Sequence, residues 1–202
     1  MHMNALKRTC IFSIALLSAC APPKPAEEPP VNVTMPVAER KTQTDTVSSW
    51  VISGAMAAKN KNKAWSASLN WRQQGMNKYQ IRLFGPLGGG TVIIEKEGGA
   101  ITYKDGPKTI TSQNADDLLQ QQTGIRLPVN NLYYWVRGLP APGPVQASKY
   151  DEYNHLISLQ QAGYHINYES YTSVNKIDLP SKIRLQGNGV SIKLIIKQWS
   201  VG

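Results

Sequence analysis

The chain reads as a mainly β protein: an antiparallel barrel or half-barrel of about nine to eleven strands, with two or three helices inserted and room for an apolar ligand. Three observations predict this. Apolar and polar residues alternate in run after run from Trp50 to Trp199, the period of a half-buried strand. Glycine-rich turns separate the runs at hairpin spacing. The helical period enters once in force, between about 114 and 138, in the middle of the strand pattern. So many strands in one domain curl into a barrel or half-barrel, and helices inserted mid-sequence then lie against its mouth or lumen.

The elements follow in order. A short helix with a weak apolar face is expected over Val37–Ser48. Trp50 opens the strand pattern. Trp65-Ser66-Ala67-Ser68-Leu69-Asn70-Trp71 and Tyr79-Gln80-Ile81-Arg82-Leu83 alternate strictly, with Gln74-Gly75-Met76-Asn77 as the turn between them. Thr91–Glu95 and Ala100–Tyr103 form another hairpin at Gly98-Gly99, and a strand at Lys108–Thr111 follows Asp105-Gly106. Asn114 can cap a helix whose first turn carries Asp116 and Asp117, the charge sign its dipole favours. Leu118 and Leu119 supply its apolar face and Gly124 its C-terminal stop. A second helix runs from Asn130 or Asn131 through Val136 and ends at Gly138 before Pro140. After the loop Ala141-Pro142-Gly143-Pro144, strands resume at Ile157–Gln160, Tyr164–Tyr168, Lys182–Gln186 and Ser191–Trp199.

The N-terminus sets the compartment. Lys7-Arg8 precede the apolar run Ile11–Leu17, which is too short to span a bilayer and suits the core of a secretory signal. Leu17-Ser18-Ala19-Cys20 then has the form of a bacterial lipobox, with cleavage before Cys20 and lipid on Cys20. Three segments result: a signal peptide over 1–19, the lipidated Cys20 with a proline-rich tether over 20–36, and a domain over 37–202. Proline at the density of 21–36 favours an extended, semi-rigid tether. The mature chain keeps about 183 residues, enough for one sizeable core. Cys10 and Cys20 are the two cysteines of the chain. With one removed and the other acylated, the domain has neither thiol nor disulfide, although the compartment permits disulfides.

The net charge of +9 falls to about +7 on loss of Lys7 and Arg8, and it is dispersed. The cluster Lys59-Asn60-Lys61-Asn62-Lys63 reads either as a solvated turn or as a contact for anionic headgroups or an acidic partner. A secreted, tethered chain is not expected to meet nucleic acid. Catalytic signatures are absent: no Gly-x-Ser-x-Gly elbow, no phosphate loop, no His-Glu-x-x-His. His155 and His165 fall near neighbouring strands, but no cysteine or carboxylate cluster completes a metal site in the sequence, and no metal or other cofactor is expected. Phe84-Gly85-Pro86-Leu87-Gly88-Gly89-Gly90 stands out, because loop tips are normally polar. Composition alone favours Leu87 tucked under the barrel over Leu87 deliberately exposed.

The lipobox at Leu17–Cys20, Trp71-Arg72-Gln73-Gln74, Tyr79–Leu83, Gly85-Pro86-Leu87-Gly88, Leu118–Gly124 with Pro128, Trp135-Val136-Arg137-Gly138-Leu139-Pro140 and the closing strand to Trp199 run in the order of a known family. The chain resembles LolB, the outer-membrane lipoprotein receptor of the lipoprotein localisation pathway. The resemblance implies an unclosed antiparallel β-barrel, covered by helices that enclose an apolar cavity for acyl chains, in a monomer anchored at the outer membrane through diacylglycerol and an N-acyl group on Cys20, facing the periplasm. It implies acceptance of acylated lipoproteins from a LolA-like periplasmic carrier, and their insertion into outer-membrane lipid. It also reverses the reading of the loop: Leu87, flanked by Pro86 and Gly88, becomes an exposed insertion residue. Ala21 after Cys20, in place of Asp, suits outer-membrane sorting. Candidates to line an acyl-chain cavity, chosen by strand or helix face, are Trp71, Ile81, Leu83, Ile93, Leu118, Trp135 and Ile195, each of which can equally be plain core. The alternatives are a lipoprotein subunit of an outer-membrane assembly complex, acting as a binding module, and a tethered hydrolase, which the missing nucleophile motif disfavours.

Overall fold

The computed structural model describes residues 29–85, 90–124 and 128–202. Eleven strands form one antiparallel sheet: β1 (Ser49–Lys59), β2 (Ala64–Gln74), β3 (Lys78–Phe84), β4 (Thr91–Glu97), β5 (Ala100–Asp105), β6 (Lys108–Ser112), β7 (Val145–Tyr150), β8 (Leu156–Gln161), β9 (Tyr164–Val174), β10 (Ile177–Gly187) and β11 (Val190–Val201). Their order is β6-β5-β4-β3-β2-β1-β11-β10-β9-β8-β7. The edges β6 and β7 do not pair, so the barrel is unclosed. The chain crosses from one edge to the other through α2 (Ala115–Thr123) and α3 (Val129–Trp135), while α1 (Val37–Asp45) precedes the sheet. The helical insertion seen in the sequence is therefore the connection between the two free edges.

The centre of the sheet is the pairing of β1 with β11, which joins the first strand to the last. It contains a bulge at Ser53/Gly54. A Cβ on Gly54 would lie 1.9 Å from the carbonyl oxygen of Ile195, so the close approach of the two backbones requires glycine. Two strand segments are not evident from alternation. β7 is exposed along its whole length and carries no apolar periodicity. β10 begins at Ile177, five residues before the expected start, and passes Pro180 with a register shift; proline ordinarily argues against a strand interior.

The antiparallel pairings divide the turns between two ends. One end carries α1, the start of β1, the β2–β3 and β4–β5 turns and the β9–β10 turn. The opposite end carries the β1–β2 turn at Asn60–Lys63, the β3–β4 and β5–β6 connections, and the β8–β9 and β10–β11 turns. These are called the tether end and the lysine end below. Trp50 seals the tether end, packed edge-on against Trp71 and Trp199 at centroid distances of 4.8 and 5.4 Å.

At the tether end a buried charge network ties down the residues that lead into α1. Asp178 accepts hydrogen bonds from the Val31 amide at 2.8 Å, from Arg40 at 3.3 Å and from His155 Nε2 at 2.8 Å. His155 Nδ1 lies 2.9 Å from Asp151 Oδ2. Arg40 also donates to the carbonyls of Val33 and Tyr153, and Asn154 donates to that of Met35. Burial alone would lower the His155 pKa, but the carboxylates of Asp178 and Asp151 outweigh it and hold the imidazole above its ordinary value.

Candidate lipid-binding interior

The concave face of the half-barrel is apolar, and α2 and α3 pack into it. Asn114 caps α2 by accepting from the Asp117 amide at 3.1 Å, and Gly124 closes it in the left-handed conformation at φ 73°. Asp116 then accepts the Val129 amide at 3.2 Å, linking the start of α3 to the start of α2. The far end of α3 is fastened more heavily. Trp135 Nε1 donates to Gln161 at 2.9 Å, and Gln161 also bridges both backbone groups of Ala141. Arg137, although 2 % exposed, donates to the carbonyls of Tyr133 and Val47 and lies 4.1 Å above the Tyr133 ring. Gly138, at φ +79°, fits against Pro180 and Tyr171. The block Trp135–Pro140 is thus the nail that holds the helical cover to the sheet. At the other end of α2, Asn60 reaches the Gly124 carbonyl and the Lys63 stem lies alongside.

Between cover and sheet is a void lined only by apolar side chains: Met56, Leu69, Trp71, Ile81, Leu83, Ile94, Leu119, Val129, Leu132, Leu185, Ile192 and Leu194. Its volume is about 20 Å³, room for about one water and far less than an acyl chain. The expected enclosed cavity is therefore an interior almost filled by the protein's own side chains. An acyl chain enters only if Leu119, Val129 and Leu132 of the cover withdraw. Burial pushes the phenols of Tyr79 and Tyr168, which also face inward, well above their usual range, as a dry interior requires.

Of the residues expected to line the interior, Trp71, Ile81 and Leu83 do so. Ile93 and Ile195 do not. Ile93 stands between Arg82 and Lys104 on the outer face, and Ile195 opposite Lys182 on the outer face of β11; Ile94 and Leu194 take the inward positions. Both strands have consecutive apolar residues, Val92-Ile93-Ile94 and Leu194-Ile195-Ile196, so neither fixes its own parity. The partner strand does: Ile81 pairs with both Trp71 and Ile94. Leu118 and Trp135 are buried, at 3 % and 0 % exposure, but pack away from the void; Leu119 rather than Leu118 points into it. Cys20, Pro86, Leu87 and Gly88 lie outside the described residues. The flanks of that loop close at Gly85, whose amide donates to the Gly90 carbonyl at 3.0 Å, and Phe84 before it is 40 % exposed.

His155 is committed to the tether-end network, and His165 sits 3.0 Å from Ser158 Oγ on an exposed face. Asp116 and Asp117 serve helix starts. No group of metal-ligating side chains occurs among the described residues, and no described helix is long and apolar enough to cross a membrane.

The fold class is an unclosed antiparallel sheet with a helical cover over an apolar face. A crystal structure of a LolA superfamily protein from Nitrosomonas europaea superposes with a TM-score of 0.54 at 8 % identity, covering 84 % of this chain and 94 % of that one. Sequence carries the assignment further. The family model described as outer membrane lipoprotein LolB matches residues 48–199. The chain is 38 % identical to the outer-membrane lipoprotein LolB of Coxiella burnetii (strain RSA 493 / Nine Mile phase I), over 95 % of this chain and 93 % of that protein. It is 35 % identical to that of Stutzerimonas stutzeri, over 98 % and 97 %, and 34 % identical to that of Nitrosococcus oceani, over 95 % and 96 %. The chain belongs to the LolB family of outer-membrane lipoproteins.

Proposed function

We propose that this protein, anchored through acyl groups on Cys20, receives acylated lipoproteins from a LolA-like periplasmic carrier and inserts them into the outer membrane as a monomer, without catalysis or a further cofactor. The observation that carries the reading is the dry apolar face beneath a cover fastened mainly at one end. Each methylene of a lipoprotein's acyl chains costs ~0.8 kcal/mol to expose to water, so the chains must pass between sheltered surfaces. The C-terminal end of α2 is held by polar side chains, Asn60 on the Gly124 carbonyl and Lys108 on Gln122. Its withdrawal, together with that of the start of α3, which Asp116 ties to α2, exposes such a surface while the far end of α3 stays nailed by Trp135 and Arg137. An acyl chain buried where Leu119 and Leu132 had packed offsets the cost of moving them. No nucleotide is needed if affinity rises from carrier to receptor to membrane.

Leu87 supplies the final step as an apolar wedge into the lipid surface. The test mixes carrier loaded with a radiolabelled lipoprotein with this protein, without nucleotide, and follows the label to the protein and then to liposomes. Transfer to the protein is expected, with Leu87→Glu accepting cargo normally but failing to deliver it. Delivery by Leu87→Glu at the parent rate would remove Leu87 from the mechanism. No transfer from a carrier competent with another receptor would remove the receptor role.

A further inference from the structure

We propose that the lysine end of the barrel docks on an anionic phospholipid surface, with the tether running back along the barrel from its attachment at the opposite end. The proposal rests on the anchoring of Cys20 proposed above. It uses two observations independent of cargo.

The first is charge. Lys59, Lys61 and Lys63 on the β1–β2 turn and Lys108 on the β5–β6 turn project from the same end. Asp105 is the single carboxylate there among the described residues, and Lys59, Lys61 and Lys63 form no ion pair among those residues. An open groove of about 410 Å³ lies between this turn and the β10–β11 turn, with Lys59 and Lys61 on one wall and Gln186 and Ser191 on the other. Its two lysines supply the charge that a phosphate headgroup requires. The tether end is mixed in sign: Glu39, Asp45, Glu97, Asp151, Glu152 and Asp178 belong to it, balanced by Arg40, Lys41, Arg72, Lys78, Lys96 and Lys176, with Glu97, Asp151 and Asp178 paired to basic partners. An anionic surface would meet a net excess of lysines at one end and balanced charge at the other.

The second is length. Val31 is held at the tether end by Asp178, so the tether spans eleven residue steps from Cys20 to Val31. At ~3.1 Å per residue for a proline-rich extended chain that is ~34 Å. β1, with 11 residues, is ~36 Å long at ~3.3 Å per residue, and its rise along the barrel is less because barrel strands tilt. The tether therefore just suffices to bring the lysine end to the membrane that holds the anchor. A tether half as long would prevent it.

The test uses the acylated full-length protein in proteoliposomes. With Cys20 blocked by lipid, one introduced cysteine is the sole reactive thiol. Asn62→Cys marks the lysine end and Asn77→Cys the tether end; both sites are exposed turn positions. Each carries a fluorophore, and headgroup-nitroxide lipid is the quencher. In vesicles containing phosphatidylglycerol, quenching at position 62 is expected to exceed that at 77 and to fall with salt. Lys59→Glu and Lys61→Glu each reduce the docked population by about fivefold or more. Deleting Pro22–Glu27, which removes no net charge, abolishes quenching at 62 while the protein stays vesicle-bound. Equal or greater quenching at 77 overturns the proposed orientation. Quenching at 62 that is the same in phosphatidylcholine vesicles, or unchanged in the glutamate variants, overturns the anionic contact. Protection of position 62 by added carrier but not by vesicles would assign the lysines to an acidic protein and overturn the proposal. None of these readouts depends on cargo transfer.

Discussion

The two ends of the half-barrel solve opposite problems. At the tether end, charges are buried and mutually satisfied: Asp178, 4 % exposed, is hydrogen-bonded by Val31, Arg40 and His155, and Asp151 holds the other face of the imidazole. At the lysine end, charges stand in water on turns. Burying a charge is costly unless it is paired, so the first arrangement rigidifies and the second stays available for an outside partner. A fold can thus fix where its tether begins and leave its other end electrostatically open. The same contrast runs through the cover: α3 is fastened by Trp135–Gln161 and Arg137–Val47, whereas α2 meets the lysine end through Asn60 and the stem of Lys63.

Breaking the network should have the largest effect. Asp178→Ala leaves Arg40 and His155 without their shared carboxylate and the Val31 amide without an acceptor. It is expected to cost ~3–5 kcal/mol, read by urea denaturation.

The network should also give the protein a pH signature. His155 has a raised pKa, so its stabilisation is complete below the unfolded imidazole value of about 6.5 and is lost as pH rises through the folded value. Asp151 is shifted the other way: burial opposes the shift, and the His155 hydrogen bonds outweigh burial and lower its pKa. Its stabilisation is present above about 3.9 and lost as pH falls through the lower folded value. Melting temperature should therefore be highest between about pH 4 and 6.5 and decline on the alkaline side. His155→Gln should flatten the alkaline limb; an unchanged limb would detach it from His155.

A smaller effect is expected where α2 starts. Asn114→Ala removes the cap on the Asp117 amide and should cost about 1 kcal/mol, measurable as a lowered denaturation midpoint. At the lysine end, Lys61→Glu should change stability by no more than about 0.5 kcal/mol, though it changes vesicle docking. A larger loss of stability there would erase the contrast between the ends.

The sequence made much of the architecture legible. Strict alternation placed β2 and β3, and Asn114 with Gly124 bounded α2. What it concealed has physical causes. β7 lies at an edge with both faces in water, so no alternation marks it. Pro180 hides the start of β10. Ile93 and Ile195 sit in apolar triplets where each face accepts a hydrophobic residue, so their direction comes only from the register with β3 and β1. The tether-end network was illegible because Arg40 and Asp178 lie far in sequence from the Asp151–His155 pair and meet it only when α1 packs on β10. The block Trp135–Pro140, which marked the family in the sequence, proves to fasten the cover.

The central claim is that acyl chains enter beneath the helical cover. The most direct measurement places a photoactivatable phenylalanine analogue at Leu119, which lines the void, or at Ile93, on the outer face of the adjoining sheet, and illuminates each during transfer of a lipoprotein with radiolabelled acyl chains from the carrier. Labelled adducts at position 119 with few at 93 are expected. Adducts at 93 equal to or exceeding those at 119 would contradict the account and place the chains outside the barrel.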